Sequence, residues 1–163
     1  MKTLVTGGNG MVGKCIQSIV NTIDKSNEYV FISSKDCDLT KEKEVDVFFE
    51  NNKFNNVIHL AACVGGLYKN MKDNHNMFQQ NIKMNMNVLK ACNNNNINTC
   101  IVILSSCIFP EKPPEFPMEE HMLHDGKPHE SNKGYAYAKR MMQVECEMYN
   151  EQYNRNYICL KKF

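Results

Sequence analysis

The 163-residue sequence has no CxxC pair, no apolar run near the roughly 20 residues of a membrane helix, and no surplus of one charge sign. Each absence excludes something. The eight cysteines, at 15, 37, 63, 92, 100, 107, 146 and 159, sit inside apolar segments and make no disulfide framework, so they are read as reduced thiols of an intracellular protein. With 19 Lys and Arg against 18 Asp and Glu, neither a nucleic acid nor an anionic membrane is expected as main partner. The first five residues run straight into a glycine loop, without the charged and then apolar layout of a signal peptide, so a soluble cytoplasmic protein is expected.

Proline is scarce too. All five prolines fall in residues 110–128, together with His121 and His124, which excludes one helix or a central strand there and predicts a long loop. Long loops in compact domains are usually functional. Hydrophobic residues make up 42% and charged residues 23%, ordinary for a globular chain with a real core. The length allows one domain, but not a nucleotide domain with a full second one.

Short runs rich in Val, Ile and Leu recur at 2–6, 29–33, 56–60, 100–104 and 157–160, which suits buried parallel strands. Between them, apolar spacing near 3.6 predicts helices over 11–23, 42–51, 77–92 and 135–153. The alternation predicts an α/β fold, a Rossmann-type doubly wound parallel sheet with helices on both faces, ending near the sixth strand. The asparagine quartet at 93–96 reads as a polar connector.

Directly after the first strand stand Thr6, Gly7, Gly8, Asn9, Gly10, Met11, Val12 and Gly13, a GxxGxxG spacing. Gly7 permits a tight turn, Gly10 a close approach to a pyrophosphate, and Gly13 packing of helix on strand. Amides at the helix start then point at the phosphates. The bland alternative is a plain turn; the strand before and the helix after favour a dinucleotide. Where an NAD-specific fold places an acidic residue, the chain has Ser33, Ser34 and Lys35, which suit a 2′-phosphate and point to NADP(H). Asp36 lies close enough to keep NAD open.

Tyr135 and Lys139 stand in a YxxxK spacing, on one helical face one turn apart. An ammonium beside a phenol favours the phenolate. Ser105 and Ser106 are expected at the end of the fifth strand, where catalytic groups of open parallel sheets collect. A serine there can hold a substrate carbonyl oxygen while Tyr135 donates a proton and a nicotinamide delivers hydride. The spacing YxxxK alone also fits an ordinary amphipathic helix. His121, His124, Asp125 and His129 lack the partners of a metal site, and no metal is expected. His59, in a buried strand, reads as a satisfied core histidine.

Four segments, TGGNGMVG, HLAA at 59–62, SSC at 105–107 and YAYAK at 135–139, resemble the extended short-chain dehydrogenase/reductases. Within them SSKDCDLT at 33–40, HLAACVGGLYKN at 59–70, SSCIFP at 105–110 and SNKGYAYAKRM at 131–141 resemble the GDP-L-fucose synthase family. The resemblance implies an NADPH-dependent 3,5-epimerase and 4-reductase acting on GDP-4-keto-6-deoxy-D-mannose. It makes residues 7–13 the pyrophosphate loop, Asp38 and Leu39 the adenine contact, and Leu60, Ala61 and Ala62 the flank of the cofactor ribose. Ser105 would bind the keto oxygen, Tyr135 would be the reductase acid, and Lys139 would hold the nicotinamide ribose and tune Tyr135. Cys107 would work in the epimerisation; otherwise it is a small buried hydrophobe. His124, Asn132 and Lys133 would line the substrate rim. Helices 77–92 and 141–149 would pair across a homodimer.

The family continues past the strand at 157–160 through PTNxxG to a catalytic histidine and a sugar-nucleotide domain. Here residues 161–163 read as a divergent tail, so 1–160 is expected to be an incomplete NADP-binding domain without the substrate domain. Weak cofactor binding without full turnover follows as an expectation. Another sugar-nucleotide epimerase or dehydratase, or a non-catalytic nucleotide-binding module, stays open.

Overall fold

The computed structural model describes residues 1–162. Five strands, β1 (Lys2–Thr6), β2 (Glu28–Ile32), β3 (Asn56–His59), β4 (Thr99–Ser105) and β5 (Asn156–Lys162), form one parallel sheet in the order β2-β1-β3-β4-β5. The helices are α1 (Met11–Ile23), α2 (Glu42–Asn51), α3 (Leu67–Lys72), α4 (Asn74–Asn94) and α5 (Lys133–Tyr153). From β1 the chain steps outward to β2, then back across to β3, β4 and β5. With right-handed crossovers that reversal puts α1 on one face and α2, α4 and α5 on the other. The carboxyl ends of β1 and β3 flank the reversal, the place where open α/β sheets bind ligands.

Strand alternation shows where the core lies. In β4, Cys100, Val102 and Leu104 are buried, and they cluster with Val45 and Phe49 of α2, Val88, Leu89 and Cys92 of α4, and Met142 and Cys146 of α5. The opposite side of β3 to β5 is less covered: Ile58, Ile101, Ile103 and Ile158 are half-buried and Leu160 is exposed.

Three expectations are corrected. Among the described residues the sheet has five strands, one for each apolar run read from the sequence, so it does not reach a sixth and Ser105 ends the fourth; residues 33–41 form turns between β2 and α2. There the Asp36 carboxylate accepts bonds from the Ser33 amide and hydroxyl, both 2.8 Å, and Asp38 accepts from the Thr40 amide and hydroxyl. Such side-chain bonds satisfy backbone locally and compete with a ladder. Residues 161 and 162 are no tail, since Leu104 pairs with Lys161 and Ser105 with Lys162 in β5; Phe163 lies outside the described residues. The helix read over 77–92 starts at Asn74 and is preceded by the short α3.

The loop over 110–128 is tied at its base. The Glu111 amide donates to the Lys127 carbonyl, and the buried Arg140 donates from Nε to Ile108 O at 2.6 Å and from Nη1 to Gly126 O at 2.8 Å. One cation on α5 thus carries the loop carbonyls that no strand partner reaches.

Candidate active site

The site begins at Gly7, whose φ of +69° lies in the left-handed region and whose Cβ, if present, would stand 2.8 Å from the Ala61 amide nitrogen. At Gly13 a Cβ would meet the carbonyl oxygens of Gly8 and Gly7 at 2.5 and 2.6 Å, so α1 starts hard against the loop it follows. The loop closes through Gly10 N–H donating to Gly7 O and Lys14 N–H donating to Gly10 O, each 2.9 Å. Gly8 turns away from the ligand side: its amide donates to Ile32 O and a Cβ there would strike Phe31.

These turns frame a crevice of about 690 Å³ at the carboxyl ends of β1, β2 and β3. Gly7, Asn9, Gly10, Met11, Val12 and Gly13 form one wall, with Ser33, Ser34, Asp38 and Leu39 at one end and Leu60, Ala61, Ala62 and Ile103 opposite. Lys35 is not among the lining residues and is exposed; Asp36 is consumed by its own turn. The side of the crevice where a ribose-binding carboxylate is expected therefore offers the exposed Ser34 hydroxyl, while the Ser33 hydroxyl is donated to Asp36.

A second cavity, of about 350 Å³, continues from the first through Val12, Leu60, Ala62, Val64 and Ile103 to Ser105, Ser106, Tyr135 and Lys139. A third, of about 200 Å³, shares Val64, Ser105 and Tyr135 with it and adds Gly65, Asn70, Cys107 and Asn132. The strand end of β4, the 3-10 turn after it and the first two turns of α5 thus bring Ser105, Cys107, Tyr135 and Lys139 to one trough. Cys107 follows Ser105 closely, its amide donating to Ser105 Oγ at 3.4 Å.

The electrostatics differ from the expectation. Lys139 is buried, donates from Nζ to Ile103 O at 2.8 Å, and lies 5.9 Å from the Tyr135 ring centroid. Burial lowers its ammonium to about 8, and burial, with Cys107 nearby, pushes the Tyr135 phenol up to about 12. One of the three ammonium donors goes to that carbonyl, and burial outweighs any pull of the charge on Tyr135 toward phenolate. Tyr135 is a protonated group, fit to donate. Burial also pushes the Cys107 thiol up.

A buried chain of side chains joins the two ends of the site. The Leu60 and Ala61 amides donate to Thr6 Oγ1 at 3.2 Å each, which leaves the Thr6 proton for His59 Nδ1 at 2.8 Å. The ring proton then sits on Nε2 and goes to Asn85 Oδ1 at 3.2 Å, and Asn85 Nδ2 donates to the Ala138 carbonyl beside Lys139. Burial, with the Lys139 charge as a smaller cause, holds His59 down to about 3, so it is neutral.

Sequence reasoning passed over several of these groups. Asn81 binds the Cys63 amide and carbonyl, Asn85 belongs to the chain just described, and Asn74 accepts the Gly134 amide at 2.9 Å. Their signal was present: Met77, Asn81 and Asn85 share one buried helical face, four residues apart. Of the proposed rim residues, Asn132 lines the third cavity. Lys133 instead pairs with Glu130, and His124 bonds to Gln143 in a separate cavity beside β5. No group of three His, Cys, Asp or Glu side chains able to hold a metal occurs among the described residues.

Comparison with known proteins agrees with this geometry. The chain is 51% identical to a GDP-L-fucose synthase of Dictyostelium discoideum over 92% of its length and 47% of that protein. It is 41% identical to a probable GDP-L-fucose synthase of Drosophila melanogaster, over 96% of the chain and 49% of the relative. A crystal structure of a GDP-L-fucose synthetase from Naegleria fowleri bound to NADP superposes with a TM-score of 0.88 at 40% identity, covering 98% of this chain and 52% of that one. The chain spans about half the length of the relatives it matches. The family model described as the NAD dependent epimerase/dehydratase family matches residues 3–163, and with the glycine loop, the sheet order and the Ser105–Tyr135–Lys139 trough in agreement, the chain belongs to that family.

Proposed function

We propose that these residues form the cofactor-binding and reductive part of an NADPH-dependent epimerase-reductase that converts GDP-4-keto-6-deoxy-D-mannose to GDP-L-fucose. The observation that carries this reading is the continuous trough from the glycine loop to Ser105, Cys107 and Tyr135. The cradle fits a dinucleotide because side chains are excluded at Gly7 and Gly13, where a Cβ would collide with backbone. The loop glycines and the α1 amides hold the pyrophosphate, Asp38 and Leu39 take the adenine end, and Leu60, Ala61 and Ala62 flank the ribose. NADP(H) is favoured over NAD(H) because Asp36 is occupied by the Ser33 amide and hydroxyl and Ser34 lines the crevice.

When bound, the reduced nicotinamide is the source of hydride for the keto carbon. The Ser105 hydroxyl donates to the keto oxygen and fixes its position. Tyr135, protonated at neutral pH, gives its proton to that oxygen as the negative charge develops. Lys139 positions the nicotinamide ribose, and Cys107 moves protons at the carbons beside the keto group. The rest of the substrate contacts, and a second proton-transfer residue, belong in this reading to a sugar-nucleotide domain outside the described residues. The whole protein is read as a cytoplasmic homodimer; no described helix is long and apolar enough to cross a membrane. Met86 on α4 and Met141 and Met148 on α5 are exposed, as helices pairing with a second copy require.

The test is cofactor oxidation by the protein with GDP-4-keto-6-deoxy-D-mannose, followed by identification of the sugar product. GDP-L-fucose formed with NADPH, and faster than with NADH, supports the reading. Turnover only with a UDP or TDP sugar refutes the substrate assignment.

A further inference from the structure

The cavity of about 200 Å³ beside Ser105, Cys107 and Tyr135 is also lined by two amides, Asn70 and Asn132, and the Oδ1 atom of each is buried with no hydrogen-bond donor. A buried acceptor without a donor is costly, and native structures keep few of them. The orientation of Asn70 is decided by its other end, since Nδ2 donates to the Gly65 carbonyl at 2.9 Å, leaving Oδ1 without a partner beside the cavity.

Asn132 is odder still. It stands at the N-cap of α5, where an asparagine side chain normally accepts a helix amide, yet it makes no such bond. The cap is supplied from elsewhere: Asn74 Oδ1 accepts from the Gly134 amide at 2.9 Å, and its Nδ2 donates to the Glu130 carbonyl. Gly134 is the residue that permits this approach, because a Cβ there would lie 2.0 Å from the Asn74 carbonyl oxygen. With α5 capped by another helix, the Asn132 amide is released from its usual task.

The lining residues, Val64, Gly65, Asn70, Ser105, Cys107, Asn132 and Tyr135, carry no aspartate, glutamate, lysine or arginine. A phosphate, carboxylate or ammonium would be buried there without a counter-charge, which is costly. The volume is below the roughly 300 Å³ of a typical small-molecule site, so the cavity takes a fragment of a ligand. What two unfilled acceptors in an uncharged cavity require is a neutral fragment rich in hydroxyl donors.

We infer that Asn70 and Asn132 are specificity-determining residues that accept hydrogen bonds from sugar hydroxyls beside the reacting carbonyl, the hydroxyl at C3 foremost. The inference rests on the proposed sugar-nucleotide reading and adds to it the groups that recognise the ring. Ser105 and Tyr135 address the keto oxygen; the two amides address its neighbours and hold the ring so that Cys107 faces one carbon.

The experiment titrates the NADP⁺-loaded whole protein, with its sugar-nucleotide domain, with GDP-4-keto-6-deoxy-D-mannose and with its 3-deoxy analogue, followed by NMR. The wild type is expected to bind the 3-hydroxy sugar about tenfold more tightly than the analogue, the worth of one hydrogen bond in affinity. Asn132→Ala is expected to lose about tenfold toward the hydroxylated sugar and almost nothing toward the analogue, so that discrimination disappears. Asn70→Leu keeps roughly the size of the side chain, removes the acceptor and is expected to lose discrimination in the same way. An unchanged NADP⁺ affinity shows that each variant is folded. If both variants discriminate like the wild type, the assignment of the amides is wrong while the sugar reading stands. If NADP⁺ binds but neither sugar nucleotide does, the sugar reading fails and the assignment with it.

Discussion

Lys139 Nζ bonds to the carbonyl of Ile103 at 2.8 Å, two residues before Ser105 on the strand whose end carries the site. One hydrogen bond therefore sets the height of α5 against β4, and with it the distance between Tyr135 on the helix and Ser105 on the strand.

That bond has a pH signature. The buried ammonium titrates at about 8, below its ordinary 10.5, so above pH 8 the unfolded chain keeps a proton that the folded chain releases. This group by itself therefore adds stability as pH rises from 8 toward 9.5, while the Cys37 and Cys107 thiols and the Tyr135 phenol, all held up by burial, subtract it as their unfolded counterparts ionise. Lys139→Met is predicted to lose more stability than the wild type between pH 8 and 9.5, by up to one proton in the slope, and to be at least as stable at pH 7. Urea midpoints at pH 7, 8 and 9.5 check this; a variant with the same slope contradicts it.

His59 predicts the acid side. Its folded value of about 3 lies below the ordinary 6.5, so the unfolded chain takes up a proton first as pH falls. The associated stability is complete above pH 6.5 and is lost progressively down to about 3, on the order of several kcal/mol for a fully buried ring. His59→Gln, which can still reach Thr6 or Asn85, is expected to show a shallower loss between pH 6.5 and 4 by up to one proton. Equal acid slopes would remove His59 from the account.

Two glycines make a matched pair. Gly13→Ala drives a Cβ to 2.5 Å from a backbone oxygen, and overpacking of that kind costs about 1–3 kcal/mol and displaces the phosphate loop. Gly66→Ala, with ordinary φ and nothing within 4 Å of its Cβ, is expected to stay within about 0.5 kcal/mol of the wild type. Thermal unfolding of both variants decides whether the crowding at Gly13 is real.

For the whole protein, Tyr135→Phe is predicted to abolish reduction while exchange of solvent deuterium into the sugar continues. Cys107→Ser is predicted to slow exchange far more than reduction of already epimerised sugar. Equal loss of both steps in the Cys107 variant would end the division of labour.

How much of this was legible in the chain depends on how local the cause is. The glycine loop, the strand runs and the spacing of Tyr135 and Lys139 are written in residues a few positions apart, and the fold places them together as read. What was not legible is what burial decides. Nothing in YxxxK says that Lys139 donates to Ile103 O, and nothing near Lys35 says that it lies outside the crevice. The asparagines were read for their abundance at 93–96, whereas the ones that matter, at 70, 74, 81, 85 and 132, act across separations of up to 60 residues or stand in a cavity no local rule reveals. The expected sixth strand had no apolar run of its own, and each of the five runs that were read forms one strand.

The most direct test of the central claim is the affinity of this chain for NADPH and for NADH, measured by calorimetry side by side with Gly13→Ala. The account predicts that NADPH binds about tenfold or more tightly than NADH, one or more hydrogen bonds' worth, and that Gly13→Ala loses both. No measurable NADPH binding, tighter binding of NADH, or a Gly13→Ala protein that binds like the wild type would contradict it.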